Sequence, residues 1–216
     1  METATRKART SDKPSILRGG SAKSTADTIR LVALRLFARE GYQAVSMRQI
    51  AEHTGVQVGS IYNHVSGKQE LLFELVFDLE KNLHAAVVKS VSRMRDPVPA
   101  LTTYIRTYIR YAVLNADLHT LSVRESCCLD EQQLRMIDDL RRAHAEFLTS
   151  ILEEGNRRGS FDIPNVKFIV GAIRALLDGM VGQARARRSD LDCYLAELQE
   201  LILRSCHGPI LSRRAR

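Results

Sequence analysis

The sequence contains no tryptophan and little of the strict alternation of apolar and polar residues that is typical of β-strands. No stretch approaches about 18 consecutive apolar residues, and the N-terminus lacks the apolar core of a secretion signal. We therefore expect a cytoplasmic protein with no membrane partner. Apolar residues instead recur with the period of a helix, about 3.6 residues, along most of the chain. This pattern predicts an all-α fold.

Motifs of enzymes and of metal sites are also missing. The chain has no glycine-rich phosphate loop and neither an H-E-x-x-H nor a G-x-S-x-G pattern. Its 6 histidines are scattered without the spacing of metal ligands. Cys127 and Cys128 are adjacent and could react with thiol oxidants or soft metals, whereas the simpler interpretation is buried packing as free thiols. We expect no catalytic residue, no metal and no cofactor.

Positive charge is in excess. Lysine and arginine number 32 against 25 aspartates and glutamates, for a net charge of +7. This balance suits a partner with phosphates or an acidic surface. Residues 1–23 are basic and poor in apolar side chains, which predicts a disordered tail, a basic arm that contacts DNA, or both. Residues 208–216 form a second basic stretch, predicted to be frayed.

Residues 46–68 have the pattern of two short helices joined by a tight turn. Ser46 and Gln49 form a capping box, so a helix can begin at Met47. Gly55 follows where a helix end needs a residue that tolerates positive φ. A second short helix is predicted over 57–64. Two short helices at a steep angle around such a turn are a helix-turn-helix unit, whose second helix enters the DNA major groove.

Longer helices flank this unit. One is predicted to begin at Ser24, with an apolar stripe over residues 29–37, and to end at Gly41. Another is predicted to begin at Gly67 or Lys68, after a Ser66/Gln69 capping box, and to run to about Met94. A helix of about 25 residues spans roughly 37 Å, far enough to join a DNA-binding head to a second region.

The combined pattern resembles the DNA-binding region of the tetracycline-repressor-like (TetR) family of bacterial transcription regulators, over roughly residues 24–83. The matching residues are Ala33, Leu36, Phe37, Gly41, Tyr42, 46–51, Gly55, Val56, 59–65 and 68–72. The resemblance implies phosphate contacts from Ser46, Arg48, Tyr62, His64 and Lys68. Base contacts would come from the exposed early part of the second helix: Gln57, Val58, Gly59, Ser60 and Asn63. Glutamine and asparagine can pair with adenine, and valine can contact a thymine methyl.

The second half is predicted to be helical, apart from a less regular stretch over 117–130. Helices are expected over 98–115, 131–154 (ended by Gly155 and Gly159) and 165–186, and a last one from a Ser189/Asp192 capping box. Candidate residues of an effector pocket are Tyr104, Tyr108, Tyr111, His144 and Phe147. They would form an apolar aromatic wall with polar hooks, or else an ordinary core edge.

The helix over 165–186 carries a row of small residues opposite its apolar face. Small residues allow another helix to approach closely, so this helix is either central to one core or part of a subunit interface. In the resembled family the last two major helices form the dimer interface, as an intersubunit four-helix bundle. Candidate interface residues are Gly171, Ala175, Gly179, Gly182, Leu195, Leu198 and Ile202.

These observations predict four regions: a basic arm (1–23), a helix-turn-helix head (24–83), a helical effector-binding and dimerisation domain (84–207) and a basic tail (208–216). The predicted function is a homodimeric, ligand-responsive transcription regulator, a repressor, that binds a double-stranded DNA operator. The stretch after residue 95 resembles members that respond to acyl-CoA or other hydrophobic effectors. The alternative is a helical DNA-binding or interaction module without a small-molecule effector.

Overall fold

The computed structural model describes residues 24–207, most of which are helical. The α-helices in that range are α1 (Thr25–Glu40), α2 (Met47–Thr54), α3 (Val58–Ile61), α4 (Lys68–Val91), α5 (Pro97–Leu114), α6 (Ala116–Glu125), α7 (Glu131–Arg157), α8 (Val166–Ala186) and α9 (Leu191–Ser205), with short 3₁₀ helices at Ser126–Cys128 and Arg188–Asp190. The predicted all-α fold is confirmed. The β-structure in these residues is an isolated bridge between Asp162 and His207.

None of the helices in the described part of the chain has both the length and the apolar character needed to cross a membrane. The predicted basic arm (1–23) and C-terminal tail (208–216) lie outside the described residues.

Local signals set the first two helices as predicted. The Ser24 hydroxyl accepts a hydrogen bond from the Asp27 amide, and the Asp27 carboxylate accepts one from the Ser24 amide. The same reciprocal pairing joins Ser46 and Gln49 at the start of α2. Gly55 ends α2 with φ of 71°, in the left-handed region that favours glycine. These short-range bonds satisfy orphan backbone groups at helix ends.

Two predicted capping boxes are wrong. Helix α4 begins at Lys68 after Gly67, and the Gln69 side chain donates instead to the Cys128 carbonyl, at 2.9 Å. Helix α9 begins at Leu191, because a 3₁₀ helix occupies the three residues before it and includes Ser189. A tertiary contact and a short turn thus replace the two local caps.

Three other boundaries differ from prediction. The stretch predicted to be irregular contains α6, whose Leu118 and Leu121 are buried. The short helix predicted over 57–64 ends at Ile61 and continues as a hydrogen-bonded turn. Helix α7 runs through Gly155, where the ring of Phe161 occupies the place of a side chain. Glycine is therefore required by packing there and does not end the helix.

The described cysteines are free thiols, and Cys127 is exposed rather than buried.

Helix α4 contributes to two hydrophobic cores, one in the head (residues 24–83) and one in the rest of the described chain (residues 84–207), which we call the body. Its first half, from Leu71 to Leu79, packs with α1, α2 and α3 in the core of the head. Its second half, from Leu83 to Val91, packs with α5, α7, α8 and α9 in the core of the body. Leu118 and Leu121 of α6 also belong to the core of the head. Head and body are therefore joined by α6 as well as by α4.

Candidate DNA-binding surface and effector cavity

Helix α3 is anchored on one side and open on the other. Ile61 is fully buried, and Ile50 and Ala51 of α2 are buried beside it in the same core. The predicted base-reading residues Gln57, Val58, Gly59, Ser60 and Asn63 are all exposed. The rest of the fold thus holds α2 and α3 from behind and leaves a polar edge free for a partner.

Gly59 is not required by packing. A Cβ added at this position would meet no atom of the described residues within 4 Å. The absence of a side chain at Gly59 therefore does not serve internal packing, and it allows the backbone there to approach a DNA groove closely.

The predicted phosphate contacts are also accessible. Tyr62 is 52% exposed, and Ser46, Arg48 and His64 are exposed too. The Arg48 guanidinium lies 3.1 Å from the Glu52 carboxylate in an exposed pair, from which a phosphate can recruit it at little cost.

Lys68 has an internal role that the sequence did not reveal. Its ammonium group donates to the carbonyl oxygens of Tyr42, at 2.9 Å, and Gln43, at 3.3 Å. It also lies 4.4 Å from the centre of the Tyr42 ring. Lys68 therefore ties the start of α4 to the loop between α1 and α2. An ammonium has three donors, so one remains for a phosphate.

A cavity of about 260 Å³ lies in the body, where α4, α5, α6, α7 and α8 meet. Its lining residues are Glu80, Tyr108, His119, Ser122, Val123, Arg141, His144, Arg174 and Asp178. The lining is polar and charged, in contrast to the apolar aromatic wall expected from the row of tyrosines.

Two of the five predicted pocket residues, Tyr108 and His144, line this cavity. Tyr104 is fully buried in the body core, and Tyr111 packs against both cores. Phe147 lines a separate depression near the loop between α4 and α5. The structure therefore brings together only part of the predicted set.

Asp178 is held at the cavity wall by two hydrogen-bond donors. Its Oδ1 accepts hydrogen bonds from the Tyr108 hydroxyl and from His119 Nε2, the latter at 3.2 Å. Burial alone would raise the pKa of Asp178, but the hydrogen bonds from His119 and Tyr108, together with the nearby charge of Arg174, outweigh it and hold the pKa below its usual value. Burial and this carboxylate raise the pKa of Tyr108. Asp178 is therefore a carboxylate and Tyr108 a neutral donor.

His144 is a neutral imidazole with an unused nitrogen. Burial, with the neighbouring His84 and Arg174, lowers the pKa of His144 to about 3. Its Nε2 is buried and has no hydrogen-bond partner among the described residues. The Tyr104 hydroxyl and His84 Nδ1 are also buried without a hydrogen-bond partner among the described residues. The centres of both rings lie within 5.5 Å of the centre of the His144 ring. Buried polar atoms normally have partners, so this group is open to a ligand or to water.

Arg141 links three elements at the floor of the cavity. It donates to the Glu80 carboxylate of α4 at 3.1 Å, and to the Ser122 carbonyl of α6 and the Ser126 hydroxyl at 3.2 and 3.1 Å. Ser122 in turn donates to Glu80, at 2.8 Å. The network ties α4, α6 and α7 together just below the head.

The small residues of α8 lie on an open face. Gly171, Ala175, Gly179 and Gly182 are exposed, and a Cβ at any of the three glycines would meet no described atom within 4 Å. Phe168 on the same helix is 70% exposed, and Leu201 on α9 is 54% exposed. Large apolar side chains left in water beside a smooth helix face are typical of an interface.

The structure contradicts the prediction that residues of α9 belong to this interface. Leu195, Leu198 and Ile202 are 1%, 3% and 1% exposed, because they pack into the body core of their own subunit. The apolar stripe of α9 faces inwards, and only its edge at Leu201 remains outside.

Two family models match the chain in succession. Residues 29–75 match "Bacterial regulatory proteins, tetR family", and residues 94–182 match "Tetracyclin repressor-like, C-terminal domain". The chain belongs to the TetR family. Together the two matches span the head and most of the body of this TetR-family protein.

Individual relatives agree with this assignment. The chain is 33% identical to the uncharacterized HTH-type transcriptional regulator YxaF of Bacillus subtilis over 87 residues, which cover 40% of this chain and 46% of that protein. It is 23% identical to the HTH-type transcriptional repressor KstR2 of Mycolicibacterium smegmatis over 64% of this chain and 68% of KstR2. The matched part of YxaF is thus less than half of its length.

A solved structure supports the fold over nearly the whole described chain. A bacterial regulatory protein in the tetR family from Rhodococcus RHA1 superimposes with a TM-score of 0.80 at 24% identity, covering 86% of this chain and 98% of that one. The predicted TetR-type head and helical C-terminal domain are confirmed.

Sequence reasoning missed most of the charged cavity wall of this TetR-family chain. Arg174 and Asp178 stand one turn apart in a helix whose neighbouring Ile173 and Leu177 are buried. A charged pair flanking buried positions in an apolar helix was the available signal. His119 carried no signal, because α6 itself was not predicted.

Proposed function

We propose that this TetR-family chain is a sequence-specific repressor that binds a double-stranded DNA operator as a homodimer and releases it when a small molecule occupies the cavity. The observation that carries the DNA-binding part is the geometry at α3, where residues 57–60 are exposed and Ile61 is buried. A helix presented in this way by a helix-turn-helix unit can enter the major groove.

Two kinds of DNA contact follow from the exposed side chains. Gln57 and Asn63 carry amides that can pair with adenine, and Val58 can contact a thymine methyl. Arg48, Tyr62 and the free donor of Lys68 suit phosphates, which fix the position of the head without reading sequence. The chain's net charge of +7 supports binding to a phosphate backbone.

The dimer would form through α8 and the edge of α9. The smooth face from Gly171 to Gly182, flanked by Phe168 and Leu201, suits close packing against the same face of a second copy. Two heads related by a twofold axis would then reach major grooves about one helical turn, roughly 34–36 Å, apart.

Release would depend on the elements that touch both the cavity and the head. His119 and Ser122 of α6 line the cavity, and Leu118 and Leu121 of the same helix pack into the core of the head. A ligand that shifts α6 would therefore move α1 and α4 with it. A difference of about 1–3 kcal/mol in ligand affinity between the two states is enough for regulation. The cavity favours this function over the alternative module without an effector.

A gel-shift assay on the DNA upstream of the gene, at stated salt concentration, tests the DNA-binding part. We expect a specific shift that Asn63→Ala weakens and that Lys81→Met, an exposed charge change on α4, leaves nearly unchanged. A shift that competitor DNA of unrelated sequence removes equally well would refute the proposal.

Analytical ultracentrifugation tests the dimer. Gly179→Leu should yield folded monomers, because the added side chain has open space within one subunit but would hold two α8 helices apart. Ala196→Leu, at an exposed position on α9, serves as the control for a larger apolar residue. An unchanged dimer in Gly179→Leu would argue against this interface.

A further inference from the structure

We propose that the cavity takes a small carboxylate that also carries a hydroxyl or amino donor, with its carboxylate on Arg174 and its donor on Asp178. The inference rests on the proposed function and narrows its effector to one chemical class. It departs from the hydrophobic or acyl-CoA-like effector expected from the sequence.

Arg174 is a cation without a direct ion pair among the described residues, although the Asp178 carboxylate lies one turn away on the same helix. Within residues 24–207 it forms no ion pair or hydrogen bond, although it lines the cavity and is partly buried. The other arginine of the wall, Arg141, is occupied by Glu80 and by the two serines of its network. A guanidinium that is partly withdrawn from water and forms no hydrogen-bonded ion pair suits a ligand carboxylate, which it can bind through two parallel hydrogen bonds.

Asp178 stands one turn after Arg174 on α8, at a spacing that commonly gives an ion pair. No such pair forms, because Tyr108 and His119 both hold Oδ1 of Asp178. Within the described residues no hydrogen bond reaches its Oδ2. The wall therefore presents a cation and an acceptor on neighbouring turns of α8, where Cβ atoms lie about 5–6 Å apart. A purely anionic ligand would be repelled by Asp178, whereas a hydroxy or amino carboxylate satisfies both groups.

His144 supplies a third polar contact. His144 lines the same cavity and is 3% exposed, and its buried Nε2 has no hydrogen-bond partner among the described residues. As a neutral imidazole it can donate to a ligand oxygen or accept from a hydroxyl. Leaving a buried polar atom unpaired costs stability, so a ligand that pairs it gains affinity.

Size and polarity limit the ligand further. A volume of about 260 Å³ lies below the range of about 300–1,000 Å³ typical for drug-sized ligands. Val123 is the only aliphatic side chain among the lining residues of this cavity in the described part of the chain. A long acyl chain would find neither the room nor the apolar surface there.

Isothermal titration calorimetry with purified full-length protein tests the ligand class directly. The probes are lactate, serine, 3-hydroxybutyrate and 4-hydroxybenzoate, each compared with its methyl ester, together with decanoate. We expect at least one hydroxy or amino carboxylate to bind, and its ester to bind at least roughly tenfold more weakly, as expected for the loss of a charge-assisted hydrogen bond. Binding of decanoate alone, equal binding of acid and ester, or no binding by any acid would overturn the inference.

Matched variants locate the site. Arg174→Met keeps the aliphatic stem and removes the charge. It should therefore weaken binding of the acid by roughly tenfold or more and leave binding of the ester unaffected. Lys167→Met makes the same charge change at an exposed position near the start of α8 and should have no effect. Equal effects of the two variants would refute the assignment to Arg174. The comparison of acid with ester in the wild type does not depend on how the variants fold.

The same probes in a DNA-release assay separate this inference from the proposed function. If the protein binds its operator but only an apolar neutral molecule releases it, the repressor function stands and the carboxylate class is wrong. If a carboxylate binds at Arg174 in calorimetry but no operator is bound, the ligand class stands and the repressor function is wrong.

Discussion

Replacing Arg141 with methionine tests whether the network below the cavity holds head and body together. The substitution keeps the aliphatic stem of the side chain but removes its bonds to Glu80, Ser122 and Ser126. The Glu80 side chain is only 13% exposed, so its carboxylate would be left buried without its cation.

Breaking a buried ion pair by removing one partner typically costs about 3–5 kcal/mol. We expect the lower end of that range, because the Ser122 hydroxyl still donates to Glu80 at 2.8 Å after the substitution. Domains of this kind have a free energy of unfolding of about 5–15 kcal/mol, so the loss is a large fraction of the total. Adding Glu80→Gln to Arg141→Met should recover part of the loss, because the unpaired charge is then gone.

Urea unfolding followed by circular dichroism, at fixed protein concentration, measures the change. Arg142→Met is the matched control, because Arg142 and Asp139 form a pair in which both side chains are 67% exposed. Such exposed pairs contribute about 0–1 kcal/mol. Equal losses in the two variants, or a double variant less stable than Arg141→Met, would refute the reasoning.

Three further predictions concern packing, charge and anchoring. Gly155→Ala should destabilise by about 1–3 kcal/mol, because the new Cβ would lie 1.9 Å from a carbon of the Phe161 ring, and Phe161→Leu should restore part of the loss in urea unfolding. Between pH 7 and pH 5 the free energy of unfolding of the wild type should fall by about 2 kcal/mol more than that of His144→Phe. The reason is that the pKa of His144 is about 6.5 in the unfolded chain and about 3 in the folded protein. Lys68→Met should lower the free energy of unfolding by about 1–3 kcal/mol through its lost bond to the Tyr42 carbonyl, and should weaken binding to all DNA sequences alike.

Each of these predictions has an outcome that contradicts it. An unchanged urea midpoint in Gly155→Ala would mean that α7 and the Phe161 ring are not in close contact. Parallel stability curves against pH for wild type and His144→Phe would mean that His144 is solvated. Loss of affinity for only some DNA sequences in Lys68→Met would assign Lys68 to base reading.

Much of the head was predictable, because its signals are local. The reciprocal bonds of Ser46 and Gln49 span three residues, and the positive φ of Gly55 is a property of one residue. The apolar stripe of α1, over residues 29–37, marks a single buried face across about two and a half turns. At Gln69 a tertiary contact replaces the predicted local cap, because its side chain donates to the Cys128 carbonyl and does not cap α4.

The cavity was far less predictable. Its lining comes from five helices spread between Glu80 and Asp178, and no periodic pattern relates such residues. The row of tyrosines correctly indicated one side of α5, but packing buries Tyr104 in the core and leaves Tyr108 at the wall.

The sequence by itself determined the helical fold, the helix-turn-helix with its exposed edge, and the family, because each depends on spacing along a short stretch of chain. Only the tertiary structure decided which side of an apolar helix faces its own core, as with Leu198 of α9, and which charges meet around a cavity, as with Arg174 and Asp178. The physical reason is that burial and charge pairing depend on which distant segments pack together. That information lies in the arrangement of the helices and not in the pattern of any one of them.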